Sequence, residues 1–233
     1  MKLSGIQTLV AASAAEYGLF GKGCRVVCGL SGGKDSMAMV SLLADMREYF
    51  DMEIAAAVYV AGSYDLVCVG LSKEIKDFCL RIGIKTEEVA LGGENEKTPL
   101  SCYRCSALRR KALLEAAERL SADTVALAHT MDDAAETFLK ELLEKGRPEP
   151  LAAKRIYFDR ISVVRPLIDV PAEAVEAYVR NRSIPVMKNS CPLTETSKRA
   201  EIRRLLAECR KCFPEAAEKL AKVAKGSRGN LEG

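Results

Sequence analysis

The sequence predicts an α/β fold, a doubly wound parallel sheet with a helical C-terminal extension. Three observations carry this. Short apolar runs alternate with amphipathic stretches from residue 24 to residue 182, and such alternation means a parallel sheet covered by helices. Met52 to Val60 is almost continuously apolar, as a strand buried on both faces should be. Beyond Arg182 the pattern is mostly helical, punctuated by Pro185, Pro192 and Pro214. The boundary falls accordingly: residues 1–182 form the α/β domain with an N-terminal helix, and residues 183–233 form the extension.

The elements follow in order. Residues 1–20 read as a helix leading into the domain, and residues 24–30 as the first strand. A Gly-Gly corner then opens a helix over 36–50, and 52–60 is the second strand. Residues 65–82 read as a helix with Leu66, Val69, Ile75, Phe78 and Ile82 on one stripe, the spacing of an amphipathic face. Lys85 to Leu91 is a short strand, and a Gly-rich loop carries the chain to Cys102. Residues 103–120 form a helix, 124–128 a strand, and 132–145 a helix with acidic residues in its first turn. Residues 147–157 read as a loop, because Pro148 and Pro150 break any helix. Ile161 to Leu167 is a strand, and Pro171 starts a helix ending near Arg182.

The chain has 233 residues, 48% hydrophobic and 29% charged, with a net charge of +3. These values suit a soluble globular protein with one sizeable core. No apolar run reaches membrane-spanning length, and Met1 to Ala15 lacks the pattern of a signal peptide, so a cytoplasmic location is expected. Nine cysteines are many for such a chain. In a reducing compartment structural disulfides are not expected. Cys24, Cys28, Cys68 and Cys79 lie in apolar periodic segments and read as core residues.

Ser31-Gly32-Gly33-Lys34-Asp35-Ser36 follows the first strand and opens a helix. Amides at a helix start lack intrahelical acceptors, and the aligned peptide dipoles favour negative charge there. The two glycines let backbone approach a ligand closely. Lys34 adds a cation, and the Ser31 and Ser36 hydroxyls can donate to phosphate oxygens. The stretch therefore reads as a nucleotide phosphate site. It is not the phosphate loop of kinases and GTPases, since Cys28 stands where that loop needs its first glycine and Asp35 intervenes before Ser36. The plain alternative is an ordinary strand-to-helix turn.

Asp132, Asp133 and Glu136 place carboxylates at a strand end and in the first helical turn. Hard oxygen ligands suit Mg²⁺, so Asp35 and Asp133 are candidate ligands for a metal on a nucleotide triphosphate; the alternative is charge complementation of the helix dipole. His129, the single histidine, stands at the same strand end. Cys102 and Cys105 are spaced to hold zinc or an iron–sulfur cluster. Cys209 and Cys212 form a second such pair, and Cys191 precedes Pro192. Basic clusters at Arg109-Arg110-Lys111 and at Lys198, Arg199 and Arg203 are candidate RNA phosphate contacts or plain charged helix faces.

Ser31 to Ser36 resembles the Ser-Gly-Gly-x-Asp-Ser signature of the PP-loop ATP pyrophosphatases, which activate a substrate as its adenylate and release pyrophosphate. Four further segments resemble the tRNA 2-thiocytidine synthetase family. They are Cys102-x-x-Cys105-Ser106-x-Leu108-Arg109-Arg110, Ala126-Leu127-Ala128-His129-x-x-Asp132-Asp133-x-x-Glu136-Thr137, Val164-Arg165-Pro166-Leu167, and Cys191. The family has a second histidine where this chain has Thr130, and Lys188 stands where it often has another cysteine. The resemblance implies an adenine nucleotide α-hydrolase-like sheet. It implies ATP bound by Ser31, Gly32, Gly33, Lys34, Asp35, Ser36, Tyr59, Val60 and His129, with Mg²⁺ on Asp35 and Asp133. It also implies a 4Fe-4S cluster on Cys102, Cys105 and Cys191, with Asp35, Cys102 and Cys105 as catalytic residues. The implied reaction is thiolation of a cytidine in a tRNA anticodon loop, with a cysteine desulfurase or inorganic sulfide as sulfur donor and a homodimer as one possible assembly. The competing expectations are a lysidine- or amide-forming ligase with structural zinc, and a non-catalytic nucleotide sensor.

Overall fold

The computed structural model describes residues 3–61, 70–91, 102–146, 149–187 and 197–226. In chain order these form α1 (Gly5–Glu16), β1 (Arg25–Leu30), α2 (Lys34–Met46), β2 (Glu53–Ala61), α3 (Lys73–Arg81), β3 (Thr86–Ala90) and α4 (Cys102–Arg119). They continue with β4 (Thr124–Ala126), α5 (Met131–Lys145), β5 (Lys154–Tyr157), β6 (Ile161–Val164), α6 (Ala172–Asn181), α7 (Lys198–Cys212) and α8 (Ala216–Gly226).

The strands order as β3-β2-β1-β4-β6-β5 in one sheet. Every pairing is parallel except that of β5 with β6. The chain builds outward from β1 in one direction through β2 and β3, then in the other through β4 and β6. The gap between the carboxyl ends of β1 and β4 is therefore the topological switch point, where such sheets bind ligands.

Helices cover both faces. On one, Met37, Met39, Leu42 and Leu43 of α2 pack with Val10 of α1, Ile75 of α3 and Val175 of α6. On the other, Ala112, Leu113, Ala116 and Ala117 of α4 pack over Val27, Val58, Val125 and Val163. A side chain at Gly29 would bring its Cβ to 3.0 Å from Leu127 and 3.1 Å from Leu113, so a missing side chain lets these layers close on β1. Cys24, Cys28 and Cys79 are buried, as the sequence predicts. Burial pushes the Cys28 thiol up to about 12 and the Cys79 thiol to about 11, so both stay protonated.

Two expectations are corrected. Residues 154–157, expected in a loop, form β5, an antiparallel edge strand on β6. Its turn runs through Phe158 and Asp159, both at positive φ (53° and 56°). Tight hairpin turns of this kind usually announce themselves by Asn or Gly, and neither is present. The helix expected over 65–82 is α3, which starts at Lys73 behind an N-cap at Ser72 whose hydroxyl accepts the Ile75 N–H; residues 65–69 lie outside the described residues. The extension packs back on α5, with Leu206 of α7 and Ala217 of α8 burying Ala135.

Candidate active site

β1 ends at Leu30, and the next three residues turn the chain into α2. Gly32 takes φ +75°, and a Cβ there would lie 2.9 Å from Met187 Sδ. The positive φ calls for glycine, and the methionine would have to shift for any side chain there. The serines hold the turn's shape. Ser36 Oγ accepts the Ser31 N–H at 3.1 Å and itself donates to Gly33 O at 2.9 Å, while Ser31 Oγ accepts the Gly33 N–H at 3.3 Å. The N-cap of α2 is Gly33, with no side-chain cap. The sheet register sets Tyr59 beside Leu30. Tyr59 is half-buried and Val60 buried. The carbonyl of Gly32 accepts the Met187 N–H at 2.7 Å, which fastens the chain beyond α6 to the corner.

Lys34 Nζ meets Asp35 Oδ1 at 2.7 Å. Burial pushes the Asp35 carboxyl up, Lys34 opposes this, and the carboxylates of Asp133 and Asp132 raise it further. The parallel β1–β4 pairing sets the start of α5 beside the corner, in keeping with that like-charge crowding.

α5 is capped where α2 is open. Thr130 and Asp133 form a capping box, with Asp133 Oδ2 accepting the Thr130 N–H at 2.8 Å. α7 lies across this turn. Arg199 pairs with Asp133 Oδ1 and with Glu136 Oε2 at 3.1 Å. Arg203 grips Glu136 through Nε at 2.8 Å and Nη2 at 3.3 Å. Arg210 pairs with Asp132, whose other oxygen accepts the Ala172 N–H at 2.7 Å. Burial works to raise the Asp133 pKa, but Arg199, His129 and the Thr130 donors outweigh it and hold the carboxyl below its ordinary value.

His129 follows β4. Arg165 Nε donates to its Nδ1 at 3.1 Å. Desolvation and the Arg165 charge hold the imidazole down to about 4. It is neutral at physiological pH, with Nδ1 engaged and Nε2–H left to donate. That suits a hydrogen-bond donor and not a general base. Arg165 itself is buried and also donates to Ala152 O.

Cys102 and Cys105 stand one turn apart in sequence at the start of α4. Cys105 is a half-buried free thiol; the Cys102 side chain and all of Cys191 lie outside the described residues. Cys209 and Cys212 sit in the last turn of α7, with Cys212 exposed. Of the basic residues proposed for RNA, Arg109 and Lys111 are exposed on α4, and Arg110 is half-buried and acts on His129. Lys198 is exposed and reaches Glu144 at 3.1 Å. Arg199 and Arg203 are tied to the acidic turn as described.

The sequence reading missed three contacts: Arg165 on His129, Met187 on Gly32, and the α7 arginines on α5. The first had a local signal in Arg165-Pro166 at a strand end. The other two join residues far apart in the chain and have none.

A PP-loop domain family model matches residues 7–209. The tRNA-cytidine(32) 2-sulfurtransferase of Colwellia psychrerythraea is 29% identical over 227 residues, covering 91% of this chain and 69% of that protein. The protein of the same name from Bordetella pertussis is 33% identical over 207 residues, covering 83% and 62%. The chain thus spans about two thirds of these relatives' length. Among solved structures, the U34-tRNA thiolase NcsA from Methanococcus maripaludis with its 4Fe-4S cluster superposes with a TM-score of 0.80. It is 21% identical, covering 98% of this chain and 80% of that one, and shares the fold.

Proposed function

The chain belongs to the PP-loop domain family, and we propose from that premise that it is an ATP-dependent tRNA sulfurtransferase acting on a cytidine of the anticodon loop. The observation that carries this is the corner at the switch point, where Gly32 turns the chain at φ +75° and the α2 N-terminus that follows has no side-chain cap. The names of the relatives supply the substrate class.

ATP phosphates lie on Ser31, Gly32, Gly33, Lys34 and Ser36, and the adenine lies along Tyr59 and Val60. The C2 carbonyl oxygen of the cytidine attacks the α-phosphorus. The bond to the β-phosphate oxygen breaks and pyrophosphate leaves. The α2 amides, Lys34 and the His129 Nε2–H offset the charge that gathers on the phosphate oxygens. Sulfur then adds to C2, the C2–O bond breaks, and AMP leaves with the original oxygen. Unstacking the base costs little in a single-stranded loop.

Asp35 and Asp133 would hold Mg²⁺. The fit is electrostatic, since the carboxylates that raise Asp35 are the crowding a divalent cation relieves. Cys102, Cys105 and Cys191 would hold the 4Fe-4S cluster. The one-turn spacing of the first two at the start of α4 fits, and Met187, four residues before Cys191, is bonded to the corner. With three protein thiolates such a group supplies one open iron for a sulfur atom. Exposed Arg109 and Lys111, with Arg110 and Lys198, are the RNA phosphate contacts. Residues 183–233 act as the extension that brings Cys191 to the domain. A cysteine desulfurase or inorganic sulfide donates sulfur, a homodimer is one compatible assembly, and the location is the cytoplasm. Among the described residues no helix is long and apolar enough to cross a membrane.

The test is nucleoside mass spectrometry of tRNA from a strain lacking this protein. Loss of 2-thiocytidine supports the reading, and unchanged 2-thiocytidine refutes it.

A further inference from the structure

We infer that Arg199 and Arg203 of α7 bind the departing pyrophosphate, as a guanidinium layer held in position from beneath by Glu136 and Asp133. This deepens the proposed function and rests on it for the identity of the ligand.

The layering is the first observation. The Glu136 side chain is 6% exposed, whereas those of Arg199 and Arg203 are 45% and 57% exposed. The carboxylates lie below and the guanidiniums face solvent. The second is that the forks are fixed. Arg203 uses Nε and Nη2 on the two oxygens of Glu136, and Arg199 bridges Glu136 and Asp133. A guanidinium carries five N–H donors. The Nη1 groups of both arginines point to no partner among the described residues. They are oriented donors with fixed geometry, which suits bidentate recognition of phosphate.

The third is location. Thr130, directly after His129, caps α5 in a box with Asp133, just beyond the end of β4, and β4 neighbours β1. Glu136 chiefly, and the charges of Asp133 and Asp35 beside it, stabilise the Arg203 cation, in keeping with the neighbouring ends of β1 and β4. Lys34 is already paired with Asp35, so these guanidiniums are the further donors at the edge of the corner. RNA backbone contacts are made well by exposed surface cations. An arginine fork locked on a buried carboxylate instead favours an anion that always arrives in one place. Glu136 is then a positioning residue.

The test titrates inorganic pyrophosphate with Mg²⁺ into the intact protein by calorimetry and measures tRNA affinity across a salt series. Arg203→Ala is expected to weaken pyrophosphate binding at least tenfold and to leave the salt slope of tRNA binding unchanged. Glu136→Gln keeps both arginines and is expected to weaken pyrophosphate several-fold. Arg203→Lys keeps the charge but not the fork and is expected to fail to restore binding; it carries the same expectation if the alanine variant does not fold. Unchanged pyrophosphate binding in Arg203→Ala or Arg203→Lys overturns the inference, and a salt slope that falls by about one then assigns the arginine to RNA. A wild type that binds no pyrophosphate also overturns it. A wild type that binds pyrophosphate yet releases none from ATP and tRNA refutes the proposed reaction and leaves the anion site standing.

Discussion

Two helices begin side by side at the carboxyl edge of the sheet and treat their free amides in opposite ways. α2 starts at an uncapped glycine in a turn shaped by serines. α5 starts at a capping box, fills its first turn with carboxylates, and lays an arginine helix across them. The contrast separates a place for a ligand from a place that aims side chains. One helix start is built of backbone and left open; the other is built of side chains and closed.

Substitutions should break the two halves differently. The largest effect is expected at the open half. Asp35→Ala should lower tRNA-dependent pyrophosphate release by at least about a hundredfold, since it removes the carboxylate at the phosphates. Radiolabelled ATP resolves this, and retained activity would detach Asp35 from the nucleotide. At the closed half the effect is on stability. Glu136→Ala strips the partner of two arginines and should cost about 1–3 kcal/mol in denaturant unfolding, below a fully buried pair because the arginines are half-exposed. Gly32→Ala should cost about 1–2 kcal/mol, from positive φ and the contact with Met187, and should weaken ATP binding as well. A loss of stability with ATP affinity intact would show that the corner is only a turn.

The pH dependence is smaller and has a defined sign. His129 is depressed in the fold, from 6.5 to about 4. Below pH 6.5 the unfolded chain takes a proton that the fold refuses, so stability falls between about pH 6.5 and 4. His129→Asn should flatten that window. Asp133 is depressed from 3.8, so its contribution is present above 3.8 and is lost only below that. Asp35 is raised, so its contribution is present below 3.8 and is lost as pH rises through its folded value. Thermal melts from pH 3 to 8 separate these windows. The smallest effect is at the exposed basic face, where Arg109→Ala should reduce the salt slope of tRNA binding by about one.

Much of this was legible in the residues. The alternation of apolar runs made β1, β2, β4, β6 and the helices between them legible, because those strands are mostly buried and an amphipathic helix keeps an apolar stripe; β3, half-exposed at the sheet edge, was marked by its short run between helices. The corner was legible because glycine, serine and a helix start are local signals. β5 was not, since its turn uses Phe158 and Asp159 at positive φ where no glycine marks the place. The partners of the acidic turn were not either. Arg199 and Glu136 are 63 residues apart, and no periodicity encodes a contact of that range. Such a contact exists only once α7 packs on α5 through Leu206 and Ala135.

The most direct test of the central claim follows both products of ATP in one reaction. With purified protein, tRNA, a sulfur donor and ATP labelled at the α- and γ-phosphates, the account predicts AMP and pyrophosphate in equal amounts. One of each should form per 2-thiocytidine, and neither without tRNA. ADP and inorganic phosphate in their place would contradict it, because the open turn of α2 would then serve a different cleavage.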